Sequence, residues 1–383
     1  MNPKILRLQA MAMFFVHAVT IGAIHTRIPD IQLQIGLSES QLGIALMGQP
    51  LGALCMFLFS SRIIERFGPH AVTLSMLPVA ATLAALVTIV ASPILLFVLL
   101  ALNGMAFSLT NISVNVEADR VEAATGMRVM NSCHGAWSLG FLGTALLGAA
   151  MRGLGVSPAT HLFVLLPVSV ILVLAVMLPM PVVPARPHAG MSRQTFAWPT
   201  WLTMGLVGVA LGAALTEGAS RAWSIIFLRD NFDVAPWVES LALPALLATM
   251  ACGRLIADRW VDHFGPVRIA RTLASVAICG LALIVLAQSA YWALAGFALV
   301  GIGICVIYPL AISAAARLGD RPASQNVASL TLIFQMVNLC SPVIIGAIAE
   351  NFGMRIAFGL FLPLMAMTFL MAGRLSPRST SPA

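Results

Sequence analysis

The sequence predicts an all-α membrane protein of twelve transmembrane helices, arranged as two pseudo-symmetric six-helix bundles. Three observations predict this. Of the 383 residues, 60% are hydrophobic and only 9% charged, with a mean hydropathy of +0.96. That ratio leaves too little charge to cover a surface facing water. Apolar runs recur from end to end, most of them near the twenty or so residues that cross a hydrocarbon core of roughly 30 Å as a helix. A short loop sequence also occurs twice, once in each half of the chain. Backbone polar groups in lipid must be satisfied within the structure, so each run is read as a helix. A β-barrel would need alternating polarity over stretches of about ten residues, and the sequence holds no such series.

The spans are expected at 8–28, 40–61, 70–91, 93–116, 129–151, 159–179, 200–228, 237–257, 267–287, 291–316, 325–348 and 355–373. Lys4 and Arg7 precede the first run as they would in a secretory signal. The run continues to Ile28 without a convincing cleavage site, so it is read as a retained span. Most connections are very short, which makes consecutive helices antiparallel. The exception, residues 180–199, holds Pro181, Pro184, Pro187, Arg186, His188 and Arg193 and is read as an extended cytosolic linker. The expected domains are therefore 1–179, the linker, and 200–383 with a short cytosolic tail.

Charge distribution sets the orientation. With both termini in the cytoplasm, sixteen of the 21 Lys and Arg residues fall inside, and Arg27, Arg152, Arg221, Arg229 and Arg355 fall toward the outside. This is the bias of the positive-inside rule and points to a multi-pass protein of a bacterial inner membrane. Arg27 is expected to anchor at the membrane interface. The formal net charge of +7 is scattered over short loops, so nucleic acid is not an expected partner.

Glu65-Arg66-Phe67-Gly68-Pro69 follows the second span, and Asp262-His263-Phe264-Gly265-Pro266 follows the eighth. Gly148 and Gly155 at the end of the fifth span are matched by Gly346 and Gly353 at the end of the eleventh. Repeats of this kind place a solute site near mid-membrane, at the interface of the halves. Cys55, Cys133, Cys252, Cys279, Cys305 and Cys340 form no CxxC and no loop pair, and are read as small core residues with no disulfide or metal role. No P-loop, HExxH or GxSxG occurs, so neither direct ATP use nor enzyme chemistry is expected, and no cofactor.

The two halves, the linker and the repeated loop resemble the major facilitator superfamily. Gly253-Arg254-Leu255-Ile256-Ala257-Asp258-Arg259, followed by Asp262, Gly265 and Arg268, is similar to its signature cytoplasmic loop. The first copy departs from the pattern, with Glu65 at the acidic place and His70 at a basic one. Closer resemblance is to the YbjJ/MosC-like branch. It is carried by Arg27-Ile28-Pro29-Asp30-Ile31, by Asn115 and Glu117 with His134-Gly135-Ala136-Trp137-Ser138, and by Glu217-Gly218 with Trp223-Ser224. The resemblance implies a secondary transporter working by alternating access. It also implies that Glu65, Arg66, Gly68, Gly253, Asp258, Arg259, Asp262 and Gly265 form a cytoplasmic gate.

Charged side chains are costly in lipid and usually face a cavity or a partner. Glu217 lies well inside the seventh span with Arg221 one turn later, on one helical face. The pair either couples an ion or forms a structural bridge. His134 stands three residues before Trp137 and is either a proton relay or a packed neutral side chain. Asn103, Asn111 and Asn115 fall near one helical face, as cavity amides or as interhelical fasteners. Glu117 with Arg120 and Arg128 is a candidate cytoplasmic latch. His17, Gln49, Tyr308, Gln335 and Asn338 complete the candidate cavity lining. The expected activity is proton-coupled transport of a small polar metabolite, sugar- or polyol-like or an organic acid, by a monomer. An exporter of drugs or toxic metabolites and a non-transporting receptor are the alternatives.

Overall fold

The computed structural model describes residues 2–184 and 198–376, apart from the side chains of Asp258 and Ser324. The linker residues Arg186, Pro187, His188 and Arg193, and the side chain of Asp258 in the signature loop, lie outside the described residues. Helix is the regular structure throughout the described residues, with no strand.

The first half comprises α1 (Pro3–Gly22), α2 (Ile28–Ile35), α3 (Glu39–Phe67), α4 (Pro69–Val87), α5 (Pro93–Thr125), α6 (Met130–Gly153) and α7 (Pro158–Met177). The second comprises α8 (Trp201–Asn231), α9 (Pro236–Ser240), α10 (Ala242–Phe264), α11 (Pro266–Leu286), α12 (Ala290–Ile304), α13 (Ile307–Ala316), α14 (Ala323–Phe352), α15 (Met354–Gly359) and α16 (Phe361–Met371). Among the described residues, eleven helical segments are long and apolar enough to cross a membrane. The remaining predicted span is α6. Its 24 residues reach about 36 Å at 1.5 Å per residue, but Asn131, Ser132 and His134 make its first turns polar.

Local signals place the helix ends. Proline opens α4, α5, α7 and α11, where its fixed φ suits a helix start and its missing N–H is not needed. Ser38 caps α3 through a capping box with Gln41. The repeated loop folds the same way twice, with Gly68 at φ 79° and ψ 149° and Gly265 at φ 81° and ψ 155°. A side chain would be strained at both turns.

Three predicted spans are interrupted. The eighth breaks at Leu241, the tenth at Cys305–Val306 and the last at Leu360. Two compact units result. One joins the described residues up to 184 with Ala235–Leu241, and the other joins 198–234 with 242–376. Helix α9 therefore belongs structurally to the first unit although it follows α8 in sequence.

The core of the first unit gathers Met13 and Phe14 of α1, Leu77 of α4, Val114 and Val121 of α5, Cys133 of α6 and Met177 of α7. Against it α3 and α5 cross with their backbones touching. A Cβ built on Gly52 would strike the Ala101 carbonyl, and one on Gly104 the Gln49 carbonyl. Gly104→Ala is expected to cost on the order of 1–3 kcal/mol by overpacking, lowering the midpoint of thermal unfolding in detergent. Gly135→Ala, where a Cβ meets nothing within 4 Å, is the control and should not lower it. Equal midpoints for the two variants would contradict the close crossing.

In the second unit the rings of Phe227, Phe297 and Phe358 pack edge to face, with centroids 5.2–5.8 Å apart. The loop before α14 is tied down by Asp320, which accepts from Asn326 Nδ2 at 2.7 Å and from Thr200 Oγ1 at 3.0 Å. Its partial burial raises the carboxyl pKa, but these hydrogen bonds outweigh that effect and hold it below the ordinary carboxylate range. A depressed folded-state pKa means that the stabilising contribution is complete above the unfolded value near 4 and is lost as pH falls through the lower folded value. Docking of this loop is thus expected to be constant from about pH 8 to 5 and to weaken only in stronger acid, measurable as hydrogen exchange at the start of α14.

Two expectations are corrected. Only Cys133 and Cys305 are buried, while Cys55, Cys252, Cys279 and Cys340 are exposed on the chain's surface. Apolar span positions face lipid as well as the protein core, so composition alone did not separate them. Arg27 is buried to 1% exposure rather than anchored at an interface, because it has acquired protein partners.

Candidate functional site

A charged cluster lies on the helices of the second unit. Glu217 lies midway along the 31-residue α8. Arg221 follows one turn later and donates to Glu217 Oε1 from Nη2 at 2.7 Å and from Nε at 3.2 Å. Arg254 reaches the same carboxylate from α10, with Nη2 3.7 Å from Oε2. Its Nε donates to the Cys305 carbonyl at 2.9 Å. That carbonyl is available because the residue four further on is Pro309, which has no N–H to close the helical bond. The break between α12 and α13 thus supplies the acceptor that fixes Arg254.

Two further expected residues join this cluster. Tyr308 lies near Glu217 and meets Phe334 edge to face at 5.0 Å. Asn338 of α14 approaches α8 beside Glu217, since a Cβ on Gly218 would lie 3.4 Å from its Oδ1. Gln335, one turn before, is exposed. Arg254 was expected only as part of a cytoplasmic loop. The signal that marks it is an arginine inside the predicted eighth span.

The first unit holds a second charged network, formed by residues outside the candidate set. Asp30 is paired with Arg27 Nη1 at 3.0 Å and with Arg152 Nε at 3.0 Å. Arg152 also pairs with Glu239 of α9 at 2.9 Å and donates to Ser240 Oγ at 2.8 Å. Arg27 Nε donates to His161 Nδ1 at 3.0 Å, which requires a free lone pair on that nitrogen and so a neutral imidazole with its proton on Nε2. The Arg27 and Arg152 side chains are 2% and 5% exposed. Two cations thus face two anions among these side chains. Its one sequence trace is the Arg27-Ile28-Pro29-Asp30 run. Residues 152, 161 and 239 are too far along the chain for spacing to connect them.

The remaining candidates of the first unit do not gather at one place. Asn103 is buried, accepts from Gln49 Nε2 at 3.2 Å and donates to the Ala80 carbonyl at 3.1 Å, linking α3, α4 and α5. Asn111 is exposed, and Asn115 donates to its carbonyl at 2.7 Å. The three asparagines therefore do not share one environment. His17 is fully buried, stacked on Phe107 at 5.9 Å and 3.2 Å from Thr110 Oγ1. His134 meets Phe14 edge to face at 5.3 Å, and Trp137 stacks on Phe141 at 5.2 Å.

Glu117 is fully buried, and neither carboxyl oxygen accepts a hydrogen bond. Arg120 instead donates to the Val183 carbonyl at 3.3 Å. Glu65, Arg66, Arg259 and Asp262 of the signature loops are exposed. Gly253 packs against the Cys305 side chain.

An all-helical chain with this many membrane-crossing segments, and charged clusters set among them, is a multi-pass membrane protein. The model of the Major Facilitator Superfamily matches residues 10–337, and the chain belongs to that superfamily of transmembrane transporters. It is 30% identical over 363 residues to the uncharacterized transporter y4wD of Sinorhizobium fredii, covering 92% of this chain and 94% of that one. It is 27% identical over 368 residues to the membrane protein MosC of Rhizobium meliloti, covering 92% and 86%. Among solved structures, a bacterial homologue of the human lysosomal transporter Spinster, inward-facing and unoccupied, superposes with a TM-score of 0.77 at 15% identity, covering 100% of this chain and 99% of that one. A point mutant of the nucleoside transporter NupG gives 0.75 at 13% identity, covering 97% and 100%. A point mutant of the E. coli fucose:proton symporter FucP gives 0.64 at 15%, covering 99% and 100%. At these identities the structural likeness concerns the fold.

Proposed function

We propose that the protein is a proton-coupled secondary carrier for a small polar solute. It works by alternating access across a bacterial inner membrane, with both termini on the cytoplasmic side. The observation that carries this reading is Glu217, an ionisable group midway along a membrane-crossing helix and held by Arg221 and Arg254. Charges persist at such places when transport needs them. A proton arriving on Glu217 breaks its ion pairs with both arginines, which changes what the cluster can bind. Tyr308 and Asn338 supply neutral hydrogen-bonding groups beside it. That a fucose:proton symporter shares the fold supports proton coupling as a use of this architecture.

The test is uptake by proteoliposomes under an imposed pH gradient, using solutes chosen from a thermal-shift panel of sugars, polyols, carboxylates and drugs. Accumulation that follows the gradient and collapses with a protonophore is the expected result. Uptake driven by a sodium gradient and indifferent to pH would refute proton coupling.

A further inference from the structure

Two guanidinium groups stand beside the Glu217 carboxylate, and they are held unequally. A guanidinium on a membrane-crossing helix is expensive unless hydrogen bonds or an anion satisfy it.

Arg254 is the unmatched member. Its Nε is committed to the Cys305 carbonyl, so the fork is held in direction by the break between α12 and α13. Its terminal nitrogens make no hydrogen bond among the described residues, and Glu217 stands 3.7 Å away. The Arg254 side chain is 39% exposed and Arg221 is 21% exposed, so a solute can reach both. A planar guanidinium with free N–H groups matches two-oxygen anions, carboxylate or phosphate, through paired charge-assisted hydrogen bonds.

We propose that the transported solute bears an anionic group, a carboxylate or a phosphate, which docks on Arg254 with Arg221 beside it. This rests on the carrier reading above and narrows its substrate to organic anions. Among the described residues, the groups near Glu217 include Arg221 on its own helix, Arg254 on α10, and Cys305 and Tyr308 at the broken helix. Glu217 and the solute's anion compete for the same guanidinium groups. Adding a proton to Glu217 removes the competitor and raises the cluster's positive charge, so the anion binds better as pH falls. Proton and anion then enter together, with no covalent step.

The test measures binding to the purified full chain in a non-ionic detergent free of anionic lipid, so that lipid headgroups are not the source of the anion. Glucuronate and glucose 6-phosphate are compared with glucose and inositol at several pH values. One or both anions should bind at least about tenfold more tightly than the neutral compounds, with affinity rising toward lower pH. Glu217→Gln should keep anion binding and lose its pH dependence. Arg254→Gln should weaken it at least about tenfold, and Arg254→Lys, which keeps the charge and loses the fork, should fall between. If Arg254→Gln does not fold, the lysine variant still decides, because unchanged anion affinity there overturns the forked contact. Neutral sugars binding as well as the anions would overturn the proposal. So would anion binding unaffected by either Arg254 variant. The carrier reading fails separately, on the absence of pH-driven uptake of any solute in proteoliposomes. pH-driven uptake of a neutral sugar would keep the carrier and remove the anion.

Discussion

Replacing Arg152 by glutamine is expected to destabilise the protein by about 3–5 kcal/mol, the cost of breaking a buried ion pair by deleting one partner. The argument is one of charge left behind. Arg152 is 5% exposed at its side chain and serves two carboxylates. Asp30 would keep Arg27, but Glu239, 9% exposed, would lose the guanidinium that now stands 2.9 Å from it. The hydroxyl of Ser240 and the Pro236 carbonyl would lose a donor as well. The effect is read as a lower midpoint of thermal unfolding in detergent. Glu239→Gln on the same background should recover part of the loss, since it removes the charge that Arg152 had paired, and a double-mutant cycle isolates the coupling. If the two single variants add with no coupling, the pair seen between α6 and α9 does not contribute to stability.

Glu217→Gln is expected to lower pH-driven uptake in proteoliposomes at least about tenfold, equivalent to about 1.4 kcal/mol or more, while leaving the amount of folded protein close to wild type. Glutamine keeps the shape of the side chain and still accepts from Arg221, but it cannot take up a proton. The side chain is 24% exposed, so its neutralisation strands less buried charge than the loss of Arg152 does. Residual uptake should no longer follow the pH gradient. Uptake with the wild-type pH dependence would remove Glu217 from the coupling role and turn attention to Glu117. That carboxyl is buried without a hydrogen bond to either oxygen among the described residues.

The helices were legible because their signals are local. Runs of apolar residues mark the spans, prolines mark their first turns, and Gly68 and Gly265 announce by repetition a turn that the structure forms twice with nearly equal angles. The span that least met the expectation is α6, where polar residues needed for contacts with α1 dilute the apolar run. Arg7 of α1 reaches Ser132 there at 2.9 Å. The helix break at Cys305–Val306 had a visible cause in Pro309, but the run around it is so uniformly apolar that continuity was the simpler reading.

The Glu217–Arg221 pair could be read from a spacing of four. Its extension to Arg254, Tyr308 and Asn338 depends on which helices lie next to α8, information that no single stretch contains. The Asp30 network was hidden for the same reason, and more so, because its members come from four separate stretches of chain. The asparagine stripe shows the opposite error. Spacings of eight and four leave a rotation between Asn103 and Asn111 that places one in the core and the other outside it.

The crossing of α3 and α5 has a consequence for motion. Gly52 lies against the Ala101 carbonyl and Gly104 against that of Gln49, so a slide of one helix by a single residue would drive a side chain of its neighbour into a peptide group. The two helices behave as one girder. Spin labels placed on their outer faces should report a single separation distribution in every state of the working cycle. Flexing within the described residues then falls to the interruptions between α-helices, at Leu241, Cys305–Val306 and Leu360.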